Sequence, residues 1–78
     1  MRRRLNEENL VYFLGGENFG SFRFRKLLQK AYMSENVEKY IVGRNIIFQQ
    51  GAGRKVLVPI DIVQDIIGII PDLPRRVA

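Results

Sequence analysis

The side chains able to do chemistry in this sequence are mainly cations, because it contains neither cysteine nor histidine. That composition removes the thiolate zinc ligand, the cysteine nucleophile, and the commonest general base and transition-metal ligand. The remaining acid–base groups are eight carboxylates, four lysines and three tyrosines, and the carboxylates lack the spacing of a calcium loop. We therefore predict that the protein is not an enzyme and that it uses no metal, no cofactor and no small-molecule substrate.

The basic residues are unevenly distributed along the chain. Thirteen Lys and Arg outnumber eight Asp and Glu, which gives a formal net charge of +5 and favours polyanionic partners. Residues 22–33 contain four cations and no acid. Residues 39–60 again contain no acid, and their cations are Lys39, Arg44, Arg54 and Lys55. The elements that these two segments form decide what the charge can bind.

Residues 21–33 are predicted to form an amphipathic helix. Ser21 is a favourable N-cap, and the apolar residues recur at helical spacing: Phe24, Leu27, Leu28, Ala31 and Tyr32. The opposite face then holds Arg23, Lys26, Gln29 and Lys30. Arg and Lys reach guanine edges or phosphates and Gln can pair with adenine, so this face suits a recognition helix. The alternative is an ordinary solvated face, although such faces usually mix Glu with Lys.

A β-hairpin with a basic tip is predicted to follow. Apolar residues 46–48 and 56–58 flank the sequence Gly51-Ala52-Gly53-Arg54-Lys55. The glycines permit a tight turn and a close approach to phosphate, and the two cations supply charge. An ordinary solubilising loop explains this tip equally well when it is considered alone. The spacing excludes a Walker phosphate loop, which needs a different glycine-to-lysine distance and a following Ser or Thr.

The remaining elements are predicted from caps and breakers. A first helix should begin at Asn6 and end at Gly15-Gly16, although residues 10–14 are rich in strand formers and could be extended. Residues 39–42 should form a strand and residues 43–45 a turn. Pro59 should start a last helix, and a strand over residues 66–70 is the competing prediction there. Among the aromatic residues, Phe19 and Phe22 are expected to be exposed.

The last helix has an unusually wide apolar face. Isoleucine and valine occupy most positions over residues 62–70, leaving only a narrow polar stripe. Such a helix is either the central core element or one half of a dimer contact. We predict a homodimer whose interface contains Ile62, Ile66, Ile69 and Ile70.

The order of these elements resembles the excisionase and MerR-type winged helix-turn-helix proteins. The resemblance rests on Leu5-Asn6-Glu7-Glu8, on Phe13-Leu14-Gly15, and on the return strand Val56-Leu57-Val58 leading into Pro59-Ile60-Asp61. It implies that the second helix lies in the major groove and that the hairpin wing contacts the DNA backbone. Residues 53–61 are also similar to the core of AbrB-type swapped-hairpin regulators, which implies dimeric DNA binding as well.

Together these observations predict an α+β, winged helix-turn-helix-like fold with two N-terminal helices, a β-hairpin wing and a C-terminal helix. Residues 1–4 would form a basic arm, residues 5–71 the domain, and residues 72–78 a loose basic tail. The predicted partner is double-stranded DNA, in a regulatory, architectural or recombination role. The contacts would come from Arg23, Lys26, Gln29 and Lys30 in the groove, from Arg44, Arg54 and Lys55 on the backbone, and from the arm residues Arg2, Arg3 and Arg4.

Two other functions remain open at this stage. The isoleucine-rich helix could dock on a protein partner in an assembly, with the positive charge acting only in solubility or steering. The same basic surface could bind RNA. No apolar run reaches the roughly 20 residues that a membrane span requires, and no apolar segment follows the N-terminal arginines as in a secretory signal, so we expect a cytoplasmic protein.

Overall fold

The computed structural model describes residues 9–69 and 71–77, and the chain forms a small α+β fold. The described residues form three helices and three strands: α1 (Leu10–Leu14), α2 (Phe22–Met33), β1 (Glu38–Val42), β2 (Asn45–Gln49), β3 (Lys55–Pro59) and α3 (Ile60–Ile67). The predicted helix at residues 10–14 is confirmed and its strand alternative is wrong. The predicted start at Asn6 lies outside the described residues, within which α1 begins at Leu10.

The three strands form one antiparallel sheet in the order β1-β2-β3. Two residues connect β1 to β2, and the first of them, Gly43, has a φ of 61°. That left-handed backbone is typical of a two-residue hairpin turn and costs glycine little. The predicted hairpin corresponds to β2 and β3, with Ile46 opposite Val58 and Phe48 opposite Val56. The hairpin therefore supplies the central strand and one edge strand of a three-stranded sheet.

The core lies between the sheet and the helices. Because side chains alternate across a strand, Ile41, Ile46, Phe48 and Val58 share one face of the sheet. This face is buried in one cluster with residues from all three helices: Leu10, Val11, Leu14, Phe24, Leu27, Leu28, Ala31 and Val63. The helices therefore cover this face, and Tyr40, Ile47 and Leu57 form an apolar row across the opposite one.

The C-terminal segment is attached to the edge of the sheet. Ile41 donates its N–H to the carbonyl of Pro74 at 2.7 Å and accepts the N–H of Arg76 at 2.8 Å, in a parallel bridge alongside β1. The Arg76 guanidinium lies 3.9 Å from the Tyr40 ring centroid and 3.6 Å from a carboxylate oxygen of Glu38. The expectation of a loose tail is therefore wrong for residues 74–76, because backbone pairing holds them.

Helix α3 is shorter than predicted, and Val63 is its one fully buried residue. It ends at Ile67, where Gly68 takes a φ of 86° and donates its N–H to the carbonyl of Gln64. A glycine in this conformation is the usual way to stop a helix, so α3 does not continue through Ile69, and the strand alternative does not form over residues 66–69. None of the helices in the described ranges has the length and apolar character needed to cross a bilayer.

The predicted dimer residues consequently have different environments. Ile62 and Ile66 are partly buried and pack against the core cluster. Ile69 lies beyond the helix and is 58% exposed, and Ile70 lies outside the described residues. Packing against the core covers part of the apolar face of α3, and homodimer formation stays a prediction.

Candidate nucleic-acid interface

Helix α2 is held rigidly enough to present a defined surface. Ser21 caps it as predicted, since its Oγ accepts the N–H of Phe24 at 2.9 Å, and that hydroxyl donates in turn to Glu17 at 3.4 Å. The predicted apolar positions are buried, with Tyr32 at their margin: Phe24, Leu27, Leu28 and Ala31 are 2% exposed or less. This burial fixes which residues of α2 face the solvent.

Lys39 closes the other end of the same helix. Its ammonium group donates to the carbonyls of Ser34 at 2.8 Å and Val37 at 2.7 Å, and to that of Ala31 at 3.4 Å. Ala31 belongs to the last turn of α2, whereas Ser34 and Val37 lie in the segment that follows, so the ammonium group ties this segment to the end of the helix. Burial lowers the pKa of Lys39 below its usual value of 10.5. One cation of the acid-free segment is therefore structural.

The solvent-exposed surface of α2 carries positive charge along its whole length. Its four cations Arg23, Arg25, Lys26 and Lys30 are all exposed, and the helix contains no acid. By contrast, α3 exposes the two acids Asp61 and Asp65 and contains no cation. Charge is thus segregated between the two helices, which favours a polyanionic partner at α2.

Two of these cations already have neighbours within the molecule. Arg23 Nε lies 3.3 Å from Glu17 Oε2 in a partly exposed ion pair. The Lys26 ammonium lies 4.9 Å from the centroid of the Phe22 ring. The predicted exposure of Phe19 and Phe22 is confirmed, at 44% and 69%. Phe19 is nonetheless tied to the core, because its ring stands 5.1 Å from that of Phe24.

The tip of the β2–β3 hairpin is fastened to α1. The Arg54 guanidinium donates to the carbonyl of Tyr12 at 3.4 Å, and its central carbon lies 5.0 Å from the centroid of the Tyr12 ring. Gln50 Oε1 accepts the N–H of Val11 at 3.2 Å. Gly15 makes room for Arg54, since a Cβ at that position would stand 2.6 Å from Arg54 Nη1. Arg54 is therefore a positioned cation.

The turn between α1 and α2 brings Arg54 and Arg23 to the same region. Arg54 rests against Gly15, and Glu17, two residues later, pairs with Arg23. These contacts and the reach of an extended chain limit the two guanidinium groups to a separation of no more than about 20 Å. The hairpin tip and the start of α2 can therefore contact one segment of a large polyanion.

The other predicted contacts are dispersed. Lys55 pairs with Gln49 and shares the sheet face of Leu57, opposite the helices. Arg44 lies in the β1–β2 turn, at the far end of β2 and thus roughly 17 Å from the tip. There it lines a shallow cleft with Asp61 and Arg75. Arg2, Arg3 and Arg4 lie outside the described residues.

Three residues that shape this surface were not among the predicted contacts. Arg25 is exposed and could have been identified from the acid-free segment, because its position falls beside Gln29 on the helix. The contact of Tyr12 and Gly15 with Arg54 joins residues about 40 positions apart. No local pattern in the sequence indicates such a contact.

The described residues contain no cluster of three or more His, Cys, Asp and Glu side chains arranged to hold a metal ion. The candidate interface consists instead of α2 and the Arg54 tip.

Comparison with protein-family models, with curated proteins and with solved structures found no match for this chain. Interpretation of the site therefore rests on its residues and their geometry.

Proposed function

We propose that the protein binds double-stranded DNA, with α2 in the major groove and Arg54 on the adjacent backbone. The observation that supports this most strongly is the solvent face of α2, where four cations and no acid are exposed on a rigid helix. An α-helix fits the B-form major groove, which is about 12 Å wide. The order α1, α2 and β2–β3 hairpin also supports the winged helix-turn-helix interpretation, with Arg54 as the contact from the wing.

The geometry reduces the expected number of phosphate contacts. Five cations lie on α2 or against the α1–α2 turn: Arg23, Arg25, Lys26, Lys30 and Arg54. Lys55 and Arg44 lie elsewhere on the sheet, so they are left out of this set. Five phosphate contacts would give a slope of about −4.5 for the logarithm of the binding constant against the logarithm of salt concentration. Affinity should then fall roughly 500-fold between 50 and 200 mM salt.

This proposal is tested by measuring fluorescence anisotropy of a labelled mixed-sequence duplex across that salt range. Replacing Arg25 and Lys30 with Gln should reduce the steepness of the slope by about 1.8. Replacing Arg44 and Lys55 with Gln is the matched control, because it also removes two exposed cations but both lie outside this set of five, and it should leave the slope unchanged. Salt-insensitive binding, or none, would reject the proposal.

Duplex RNA of the same sequence separates this function from RNA binding. The major groove of A-form RNA is deep and narrow, so side chains of a helix cannot read it. The proposal therefore predicts weaker binding to duplex RNA than to duplex DNA. The alternative of a protein-docking module finds less support, because Ile62 and Ile66 already pack against the core of the same chain.

A further inference from the structure

We infer that Phe22 contacts the methyl group of a thymine while Gln29 pairs with a nearby adenine, so that the protein selects A·T base pairs. This inference rests on the duplex binding proposed above and names the bases that α2 would read. It assigns a contact to Phe22, an exposed aromatic residue that has no part in the proposed phosphate contacts.

The assignment begins with the angular positions of residues around α2. Successive residues of a helix are rotated by about 100°, so Phe22, Gln29 and Met33 fall within about 40° of one another. The buried side chains of α2 lie on the opposite side of the helix. These three residues therefore form the part of α2 that is furthest from the core, and we call them the central stripe.

The cations lie beside the central stripe. Arg23 and Lys30 fall about 80–100° to one side of Phe22, Arg25 about 60° to the other, and Lys26 about 40° from the centre. When a helix lies in a groove, its central residues face the base edges and its flanking residues face the two phosphate backbones. The distribution of charge on α2 thus leaves the central stripe for reading bases.

Phe22 has the properties of a residue that contacts an apolar group on its partner. Its side chain is 69% exposed, although it stands at the first position of a well-ordered helix. The Lys26 ammonium lies 4.9 Å from its ring centroid and can hold the ring in place. In the major groove the apolar group that a base pair presents is the C5-methyl of thymine, and phenylalanine is among the residues that contact it.

Gln29 extends the same preference along the helix. It is exposed, and its amide can bond to both N6 and N7 of adenine. Seven residues separate it from Phe22, a rise of about 10.5 Å along the helix axis. At about 3.4 Å per base-pair step along the duplex axis, this distance spans at most about three base pairs. The two contacts would therefore fall within a single pass of the helix through the groove.

Replacing thymine by deoxyuracil tests the Phe22 contact directly, because it removes the methyl group and leaves the hydrogen-bonding groups and the charge unchanged. We expect an A·T-rich duplex to bind about fourfold more tightly with thymine than with deoxyuracil, the value of burying roughly one methyl group. Phe22→Ala should reduce this ratio to about one, and Phe22→Leu should retain part of it. Neither variant should change the salt slope, because no charge is altered.

Met33→Ala provides the matched control. Met33 is an apolar residue of the same stripe and is 77% exposed, but it is the last residue of α2. Recognition helices contact bases mainly through their N-terminal residues, so this variant should keep the fourfold ratio. If the wild-type protein binds the thymine and deoxyuracil duplexes equally but with steep salt dependence, the thymine contact is overturned and the duplex proposal stands. A ratio that persists in Phe22→Ala would overturn the role of Phe22, and absence of salt-dependent binding would overturn the duplex proposal itself.

Discussion

Gly15 controls the position of Arg54, and replacing it with alanine should move that cation without removing it. A Cβ at Gly15 would stand 2.6 Å from Arg54 Nη1 and 2.9 Å from Val56 Cγ2. Contacts this short force the Arg54 side chain away from Tyr12. We expect the slope of the logarithm of the binding constant against the logarithm of salt concentration to become less steep by about 0.9. The affinity should fall about eightfold at 0.1 M salt, which is the effect of one lost phosphate contact.

The stability change from the same substitution should be modest. Crowding Val56 costs about 1–3 kcal/mol. Gly15 has a φ of −68° and a ψ of −14°, a conformation that alanine adopts readily, so the substitution also gains about 0.4–1 kcal/mol from the unfolded chain. A net loss near 1 kcal/mol would lower the melting temperature by roughly 4–8 °C in a domain of this size. The folded state should therefore persist during the binding assay.

Two comparisons isolate the effect on Arg54. Gly16→Ala is the matched control, since the nearest atom to its added Cβ is the Phe13 carbonyl oxygen at 3.6 Å, an ordinary contact. In the Arg54→Ala background, Gly15→Ala should cost no further affinity, because the cation that it displaces is absent. Thermal unfolding and anisotropy titrations measure both quantities. Wild-type affinity in folded Gly15→Ala would refute the positioning of Arg54 by Gly15.

Three further predictions follow from neighbouring contacts. Glu17→Gln removes the ion pair that Arg23 must give up to contact a phosphate, and it should raise affinity up to about fivefold, the value of an exposed ion pair. The same titration measures this gain, and unchanged or weaker binding would argue against Arg23 as a phosphate contact. Lys39→Met removes the ammonium group that bonds to the carbonyls of Ser34 and Val37, just beyond α2, and should cost about 2 kcal/mol in urea unfolding at neutral pH. Burial lowers the pKa of Lys39, so between that pKa and 10.5 the unfolded chain binds more protons than the folded chain. The free energy of unfolding of the wild-type protein should therefore rise with pH in this window. Lys39→Met should lack that rise. Arg76→Ala removes the cation over the Tyr40 ring and should lower the free energy of unfolding by about 1 kcal/mol, which is measured as a lower melting temperature. An unchanged melting temperature would contradict a role for this contact in stability.

Local patterns in the sequence were sufficient to predict most of the elements. Ser21 and the apolar spacing after it predicted α2, and Pro59 predicted the start of α3. The end of α3 was missed because a long isoleucine run suggests continuity, whereas Gly68 adopts a left-handed backbone that ends the helix. The attachment of residues 74–76 to β1 was missed because backbone pairing between distant segments leaves no local sequence signal.

The candidate site was only partly predictable for a similar reason. The acid-free character of α2 is a property of the sequence, and the exposure of its cations follows from helical periodicity. Arg54 and Lys55 are adjacent in the sequence and were grouped together. In the structure Arg54 contacts α1, whereas Lys55 shares the opposite sheet face with Leu57. Which of these two cations joins α2 in the candidate interface depends on the packing of the hairpin tip against α1.

The separation of these two adjacent cations provides the most direct test of the proposed interface. Arg54→Gln and Lys55→Gln change the net charge equally at neighbouring positions, so any long-range charge effect is shared. We predict that Arg54→Gln lowers the steepness of the salt slope by about 0.9, whereas Lys55→Gln leaves it unchanged. Equal slopes for the two variants, or a larger change for Lys55→Gln, would contradict an interface formed by α2 and the Arg54 tip.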